Sequence, residues 1–389
     1  MKKATFLFAG LALIAASCSE TEIVNSTTQE TPETINFSAY ANRLTKAVQT
    51  DVTTANLNSF NVTAIGDNAV YFDNITFTKG SSGVWESSTE YAWPNYALDF
   101  YAYNIPVDND EQDKTGFSQF INNEENKNLK VTPAKEIAHQ EDFVVAEALD
   151  QTLASTSGND HHAVNLTFKH YLTQFVIEAM NSRPNNYTVE VSGVKITNIA
   201  GTGVYTFSNN QMTASTTENV KTSYEVSFSN KELTSVTHKV MGENGYGQWY
   251  LVPQTVTPWV QSSDIKNTAN GAYLALKVRI SASNGDMVYP KTTGEDGKQA
   301  YAWMAMPMPS VVSDAMEYAY AQGKKYTIIF NFFSDGKGAG FVDPQDPGDL
   351  DGDGSTEEDK GQPIGGHVIK FNATVDEWDA DNTTITINL

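Results

Sequence analysis

The sequence predicts a mainly β protein built as two tandem β-sandwich domains with Greek-key connections, and three observations carry that expectation. Apolar residues recur with a period of two in run after run, and Gly, Asn, Ser and Pro clusters separate the runs at sandwich-like intervals. The 389 residues exceed one common domain length and suit two. Finally, 19 Phe, 18 Tyr and 6 Trp supply apolar area for two cores, while a single cysteine leaves no pair to staple them.

The N-terminus sets the compartment. Lys2 and Lys3 precede an apolar stretch, Phe6 to Ala16, that is too short and wrongly flanked for a membrane span, so residues 1–17 read as a cleavable export signal. The lone Cys18 follows Ala15-Ala16-Ser17 as a lipobox cysteine would, although Ala15 stands where leucine is common. Acyl chains on Cys18, palmitate among them, would hold the protein on the outer membrane, each buried methylene contributing about 0.8 kcal/mol. Residues 18–33 are rich in Thr, Ser, Glu and Asn and read as a flexible leader.

The body divides into residues 34–169 and 170–389, with the boundary near Lys169 to Leu172. In the first part Ile35, Phe37 and Ala39 alternate with polar neighbours, as do Phe60, Val62 and Ala64, then Leu98, Phe100 and Ala102, and later Val164, Leu166 and Phe168. Each run offers one apolar face to a core. Asp108 to Asn128 and Ser155 to Asn159 read as long surface loops. In the second part, strand-like runs cover Tyr187 to Ile199, Val204 to Phe207, Tyr224 to Phe228, Leu274 to Ile280, Tyr326 to Phe332, Val368 to Val375 and Ile385 to Leu389. One stretch departs from the pattern: Val311, Val312, Ala315, Met316, Ala319 and Tyr320 have helical spacing, with Ser310 placed to cap and Gly323 to stop a short helix.

Charge narrows the partners. Without Lys2 and Lys3 the mature chain carries 23 basic against 47 acidic residues, a net −24. Such a surface repels phosphate backbones and anionic headgroups, which disfavours nucleic acid and makes a lipid, rather than a basic face, the membrane link.

Little catalytic chemistry is legible. There is no HExxH helix, no G-x-S-x-G elbow and no phosphate-cradling glycine loop. His161 and His162 sit in a polar loop and read as solvent-exposed, while His170 after its strand reads as packed at the domain junction. No two carboxylates stand out as a glycosidase pair. The acidic run is the one local signal with metal-ligand spacing: Asp349, Asp351 and Asp353 with Gly354 match the first half of a calcium loop. Position 12 is Lys360 instead of a bidentate glutamate, so a calcium ion would have to recruit Glu357, Glu358 or Asp359. The alternative is a solvated acidic hairpin tip, and no cofactor is expected to be essential. Trp85, Trp93, Trp249, Trp259, Trp303 and Trp378 are core candidates first and sugar-stacking candidates second.

Several segments taken in order resemble the Bacteroidetes fimbrillin family, the pilins of type V pili and their relatives. They are Ile35-Asn-Phe37 followed by Arg43, Phe60-Asn-Val62-Thr-Ala64, Tyr91-Ala-Trp93-Pro94 leading to Leu98-Asp-Phe100-Tyr-Ala102-Tyr103-Asn-Ile-Pro106, Val164-Asn-Leu166-Thr-Phe168-Lys-His170, Leu251-Val-Pro253-Gln254, and Ile369-Lys-Phe371-Asn-Ala-Thr374-Val375-Asp-Glu-Trp378. Ser19-Glu20-Thr21-Glu22 likewise resembles the signal that sends lipoproteins of that phylum to the cell surface. The family commonly has Thr-Arg-Ala after its first strand, whereas this chain has Asn42-Arg43-Leu44-Thr45-Lys46-Ala47, which leaves the processing point open between Arg43 and Lys46.

The resemblance implies transthyretin-like domains and a structural or adhesive subunit of a surface fimbrium without enzymatic activity. It also implies removal of the leader strand by a trypsin-like protease, and a groove then filled by the C-terminal segment of another fimbrial subunit. Ile35, Phe37 and Ala39 would be the plugs removed, and Ile385, Ile387 and Leu389 the plugs donated. A host or bacterial surface ligand is a further implied partner. The second reading is a surface glycan-binding lipoprotein of the same build, and a hydrolase is the third.

Overall fold

A computed structural model of the protein describes residues 33–41, 52–53, 55–104, 116–122, 127–241, 247–262, 268–311, 317–334, 338–366, 370–377 and 384–388. The chain is mainly β, as the period-two runs predict. Its first nine strands are β1 (Phe37–Ala41), β2 (Ser59–Gly66), β3 (Ala69–Lys79), β4 (Trp85–Ser87), β5 (Leu98–Tyr103), β6 (Gly116–Asn122), β7 (Lys127–Thr132), β8 (Val144–Gln151) and β9 (Val164–His170).

Seven of these form a closed ring in the order β1-β4-β3-β2-β5-β8-β9. The β2–β3 hairpin turns on Asp67 and Asn68, both at positive φ (50° and 57°), with Gly66 paired to Ala69. A two-residue turn of that kind matches strand twist and favours Asn and Asp. The ring is filled by Phe37, Phe60, Phe77 and Phe100 with Val62, Leu98, Val164, Leu166 and Phe168, all essentially inaccessible.

The remaining strands are β10 (Thr173–Asn181), β11 (Tyr187–Ile199), β12 (Gly203–Thr206), β13 (Gln211–Ala214), β14 (Thr222–Glu232), β15 (His238–Lys239), β16 (Trp249–Leu251), β17 (Gln254–Thr255) and β18 (Tyr273–Ala282). They continue with β19 (Met287–Tyr289), β20 (Ala302–Pro307), β21 (Ala319–Tyr320), β22 (Lys324–Phe332), β23 (Phe341–Val342), β24 (Lys370–Glu377) and β25 (Thr384–Asn388). One sheet runs β15-β10-β22-β24-β25 with β16 beside β10, and a second runs β14-β11-β18-β20-β23 with β19 beside β18. Residues of both contribute to a single core that includes Phe175, Ile177, Val191, Leu276, Ile328 and Phe330.

Three local expectations are corrected. Ala319–Tyr320, read from spacing as the end of a helix, is a strand paired with Gln254–Thr255, and Ser310 holds Glu317 from both sides, its Oγ accepting from Glu317 N (2.9 Å) and donating to Glu317 O (2.9 Å). Residues 312–316 lie outside the described residues. The stretch read as a loop from Asp108 to Asn128 contains β6 and the start of β7. The loop around Ser155 begins with a four-residue helix, α1 (Leu153–Thr156), capped where Thr152 Oγ1 accepts from Ser155 N. Among the described residues it is the one α-helix, and none is long and apolar enough to cross a membrane.

The strand β7 also ties the two halves of the chain together. It pairs β12 in the order β13-β12-β7-β6. A third cluster fills this joint, with Tyr101, Tyr103 and Phe143 on one side and Tyr171, Tyr205 and Tyr250 on the other. Tyr205 lies edge-on to Tyr171, Phe143 and Phe207. Such pairs add about 0.5–1.5 kcal/mol each beyond area burial.

Because Phe37 is wholly buried among three other phenylalanines, Phe37→Ala is expected to cost about 3–5 kcal/mol in urea denaturation followed by intrinsic fluorescence. Tyr40→Ala, on the outward face of the same strand, is expected to stay within about 0.5 kcal/mol.

Candidate functional site: the strand that closes the barrel

The leader strand β1 is the piece that makes the N-terminal ring a ring. It lies parallel to β9, with Phe37 opposite Val164, Ala39 opposite Leu166 and Ala41 opposite Phe168, and it touches β4 on its other side through Phe37 and Trp85. The chain just before β1 is also clasped: Ile35 N donates to Tyr91 O (2.8 Å) and Trp93 N donates to Glu33 O (3.1 Å).

Ile35, Phe37 and Ala39 point into the core as the alternation predicts, and Ala41 joins them; none is more than 5% exposed. Phe37 meets Phe77, Phe100 and Phe60 edge-on at 4.7, 5.1 and 6.0 Å between ring centroids. Side-chain size is complementary across the ladder: β1 runs Phe, Ala, Ala while β9 runs Val, Leu, Phe. Sequence reading missed both the role of Ala41 and the clasp on residues 33–35, although Tyr91-Ala-Trp93 stands out as a motif.

The C-terminal strand β25 is at a sheet edge. Among the described residues its partner is β24, with Ile385 opposite Val375 and Ile387 opposite Ala373. Leu389, Cys18, Arg43 and Lys46 lie outside the described residues.

The acidic loop brings Asp349, Asp351 and Asp353 together, with one oxygen of each within 4.8 Å of the others. Glu357 does not join them and instead pairs with Lys360 (2.6 Å). The loop's own backbone uses the carboxylates: Asp349 Oδ1 accepts from Gly352 N (2.6 Å) and its Oδ2 from Gly354 N (3.2 Å), while Asp359 Oδ2 accepts from Leu350 N (2.7 Å). Burial raises the pKa of Asp359, the Leu350 N–H opposes that shift, and the charges of Asp351, Asp349 and Glu358 add to it.

The other candidates have structural settings. His170 is buried with its Nδ1 2.7 Å from Asp142 Oδ2, and the same oxygen accepts from Val52 N (2.9 Å). His161 is exposed. Trp85, Trp249, Trp259 and Trp303 are buried and Trp93 is half-buried, so among these the flat exposed ring that sugar stacking needs is missing. An open groove of about 750 Å³ passes Asn198, Lys221, Gln254 and Gln322 on the C-terminal half. Its polar groups serve the fold: Gln254 Oε1 accepts from Ala200 N, Gln322 Oε1 accepts from Met212 N, and Asn198 donates to Gly271 O. No carboxylate or histidine lines it.

A raised folded-state pKa means that Asp359 contributes its full stability below the unfolded carboxylate value of about 4 and loses it as pH rises through the folded value. In urea denaturation at pH 3.5 and pH 7, Asp359→Asn, which keeps an acceptor for Leu350 N–H, is expected to gain on the wild type by up to about 1 kcal/mol at the higher pH. A difference unchanged between the two pH values would show that Asp359 titrates alike in both states.

The profile of the Fimbrillin-like family matches residues 45–335. No curated protein sequence matches the chain. Among solved structures, a fimbrial protein from Bacteroides vulgatus is similar at 15% identity and a TM-score of 0.49, over 76% of this chain and 94% of that one. The fimbrial anchor protein Mfa2 from Porphyromonas gingivalis is similar at 9% identity and a TM-score of 0.33, over 77% of this chain and 90% of that one. With three quarters of its length under the family profile, this chain belongs to the Fimbrillin-like family.

Proposed function

We propose that the protein is a structural, adhesive subunit of surface fimbriae, exported as a lipoprotein on Cys18 and joined to other subunits by protease-triggered strand addition. The observation that carries this reading is the place of β1. It precedes Arg43 and Lys46 in the chain, is buried on its inner face and is held in the ring through ladders to β9 and β4, so a cut after either basic residue would separate it from the chain that carries β2 onward. Its loss would leave unpaired N–H and C=O groups along β9 and an empty apolar slot, both of which an incoming alternating strand satisfies.

The edge position of β25 supports its use as the donor, with Ile385, Ile387 and Leu389 as plugs. In this reading the two halves are the tandem transthyretin-like sandwiches of a fimbrillin, the outer membrane is reached through the lipid, and a trypsin-like enzyme is the processing partner. Membership of a fimbrial family favours a non-enzymatic role. The buried and half-buried tryptophans give the glycan-binding reading no specific support.

Limited trypsin treatment of the mature protein, with N-terminal sequencing and electron microscopy, tests the reading. New N-termini at Leu44 or Ala47, release of a fragment containing Ile35–Ala41, and non-covalent association with other subunits are expected. A body that stays uncut at both sites, or that keeps β1 permanently after cutting, would contradict it.

A further inference from the structure

We infer that the slot filled by β1 selects a strand carrying an aromatic plug followed two and four positions later by residues no larger than alanine, so that its occupant comes from a different subunit rather than a second copy of this chain. The inference rests on the strand-addition reading and adds partner choice to it.

The selecting groups are on the page. At the first position Phe37 sits in a cage of Phe60, Phe77 and Phe100. At the next two, the buried Ala39 and Ala41 are paired with the larger Leu166 and Phe168 of β9, and Phe168 packs on Phe60 at 5.1 Å. The core here is dry and closed, with Leu166 and Phe168 at most 1% exposed. Interiors of this density tolerate neither an empty ring-sized space nor extra methylenes without strain.

This chain's own C-terminal strand fails the pattern in each alignment that sets one of its apolar residues in the aromatic cage, and a shift forward by two sets Thr383 there. Its apolar residues are Ile385, Ile387 and Leu389. Aligned on Phe37, Ala39 and Ala41, it leaves the aromatic cage underfilled and sets Ile and Leu against Leu166 and Phe168. Moved back by two, it still puts Ile in the cage and Leu at the Ala39 site. Moved back by four, it puts Leu in the cage and ends before reaching either alanine site. Reversing the strand exchanges Ile and Leu but supplies neither the ring nor the small residues. The leader, by contrast, carries Ile35, Phe37, Ala39 and Ala41 in order.

Peptide competition tests this on the mature chain nicked by trypsin with its leader still bound. Three peptides are added: residues 33–41, residues 381–389, and residues 381–389 carrying Ile385→Phe, Ile387→Ala and Leu389→Ala. Leader displacement is followed by native mass spectrometry. The first and third peptides are expected to displace the leader at concentrations lower than the second by about tenfold or more. Equal potency of the unmodified C-terminal peptide, or a third peptide no better than it, would overturn the selectivity while leaving strand addition standing. If even the leader's own sequence fails to exchange, strand addition at this slot is itself wrong and the inference falls with it.

Discussion

The structure depends on one ladder, the parallel pairing of β1 with β9. A sheet edge left open inside a phenylalanine-rich core would expose both hydrogen-bonding groups and apolar surface, and five residues of β1 close it on both counts. The same short strand carries Phe37, wholly buried in the ring, and the small residues paired with Leu166 and Phe168. Closure and packing are therefore properties of a segment that belongs to the leader side of the chain, upstream of both candidate cleavage sites.

Other parts of the molecule are joined by contacts outside that segment. β7 and β12 bridge the halves, the Tyr101, Tyr171, Tyr205 and Tyr250 cluster fills the joint, and Asp142 binds His170 and Val52 N beside it. The C-terminal sandwich has its own large core and its own buried ion pair, Lys195 with Asp343 at 2.9 Å, where Asp343 also accepts from Tyr273 Oη (3.0 Å). Removing one partner of such a pair leaves an uncompensated buried charge, so Lys195 and Asp343 depend on each other where β11 meets the segment after β23.

Much of this was legible in the sequence because strands advertise themselves by alternation. Ile35, Phe37 and Ala39, or Val164, Leu166 and Phe168, show their buried face without any structure, and Tyr187 to Ile199 is a strand from end to end. What alternation does not encode is the partner. The pairing of Lys127–Thr132 with Gly203–Thr206 and the clasp of residues 33–35 by Tyr91 and Trp93 are long-range choices made by packing. The end of the expected helix, Ala319–Tyr320, is a strand for the same reason: Tyr320 is buried and packs on Phe175 and Tyr326, and the pair is held by Gln254–Thr255. In the acidic loop Asp349, Asp351 and Asp353 come together, but Glu357 faces Lys360, a choice that residue type alone does not predict.

The most direct measure of the central claim is hydrogen–deuterium exchange at the β9 amides that face β1, compared between the intact mature chain and the chain from which the leader strand has been removed. Those amides are predicted to be protected in the intact protein, to exchange freely once β1 is gone, and to regain protection when a replacement strand binds, while β11 and β18 stay unchanged throughout. Protection of β9 that persists after the leader is lost would contradict the account, because it would mean that the ring does not depend on β1 for its closure.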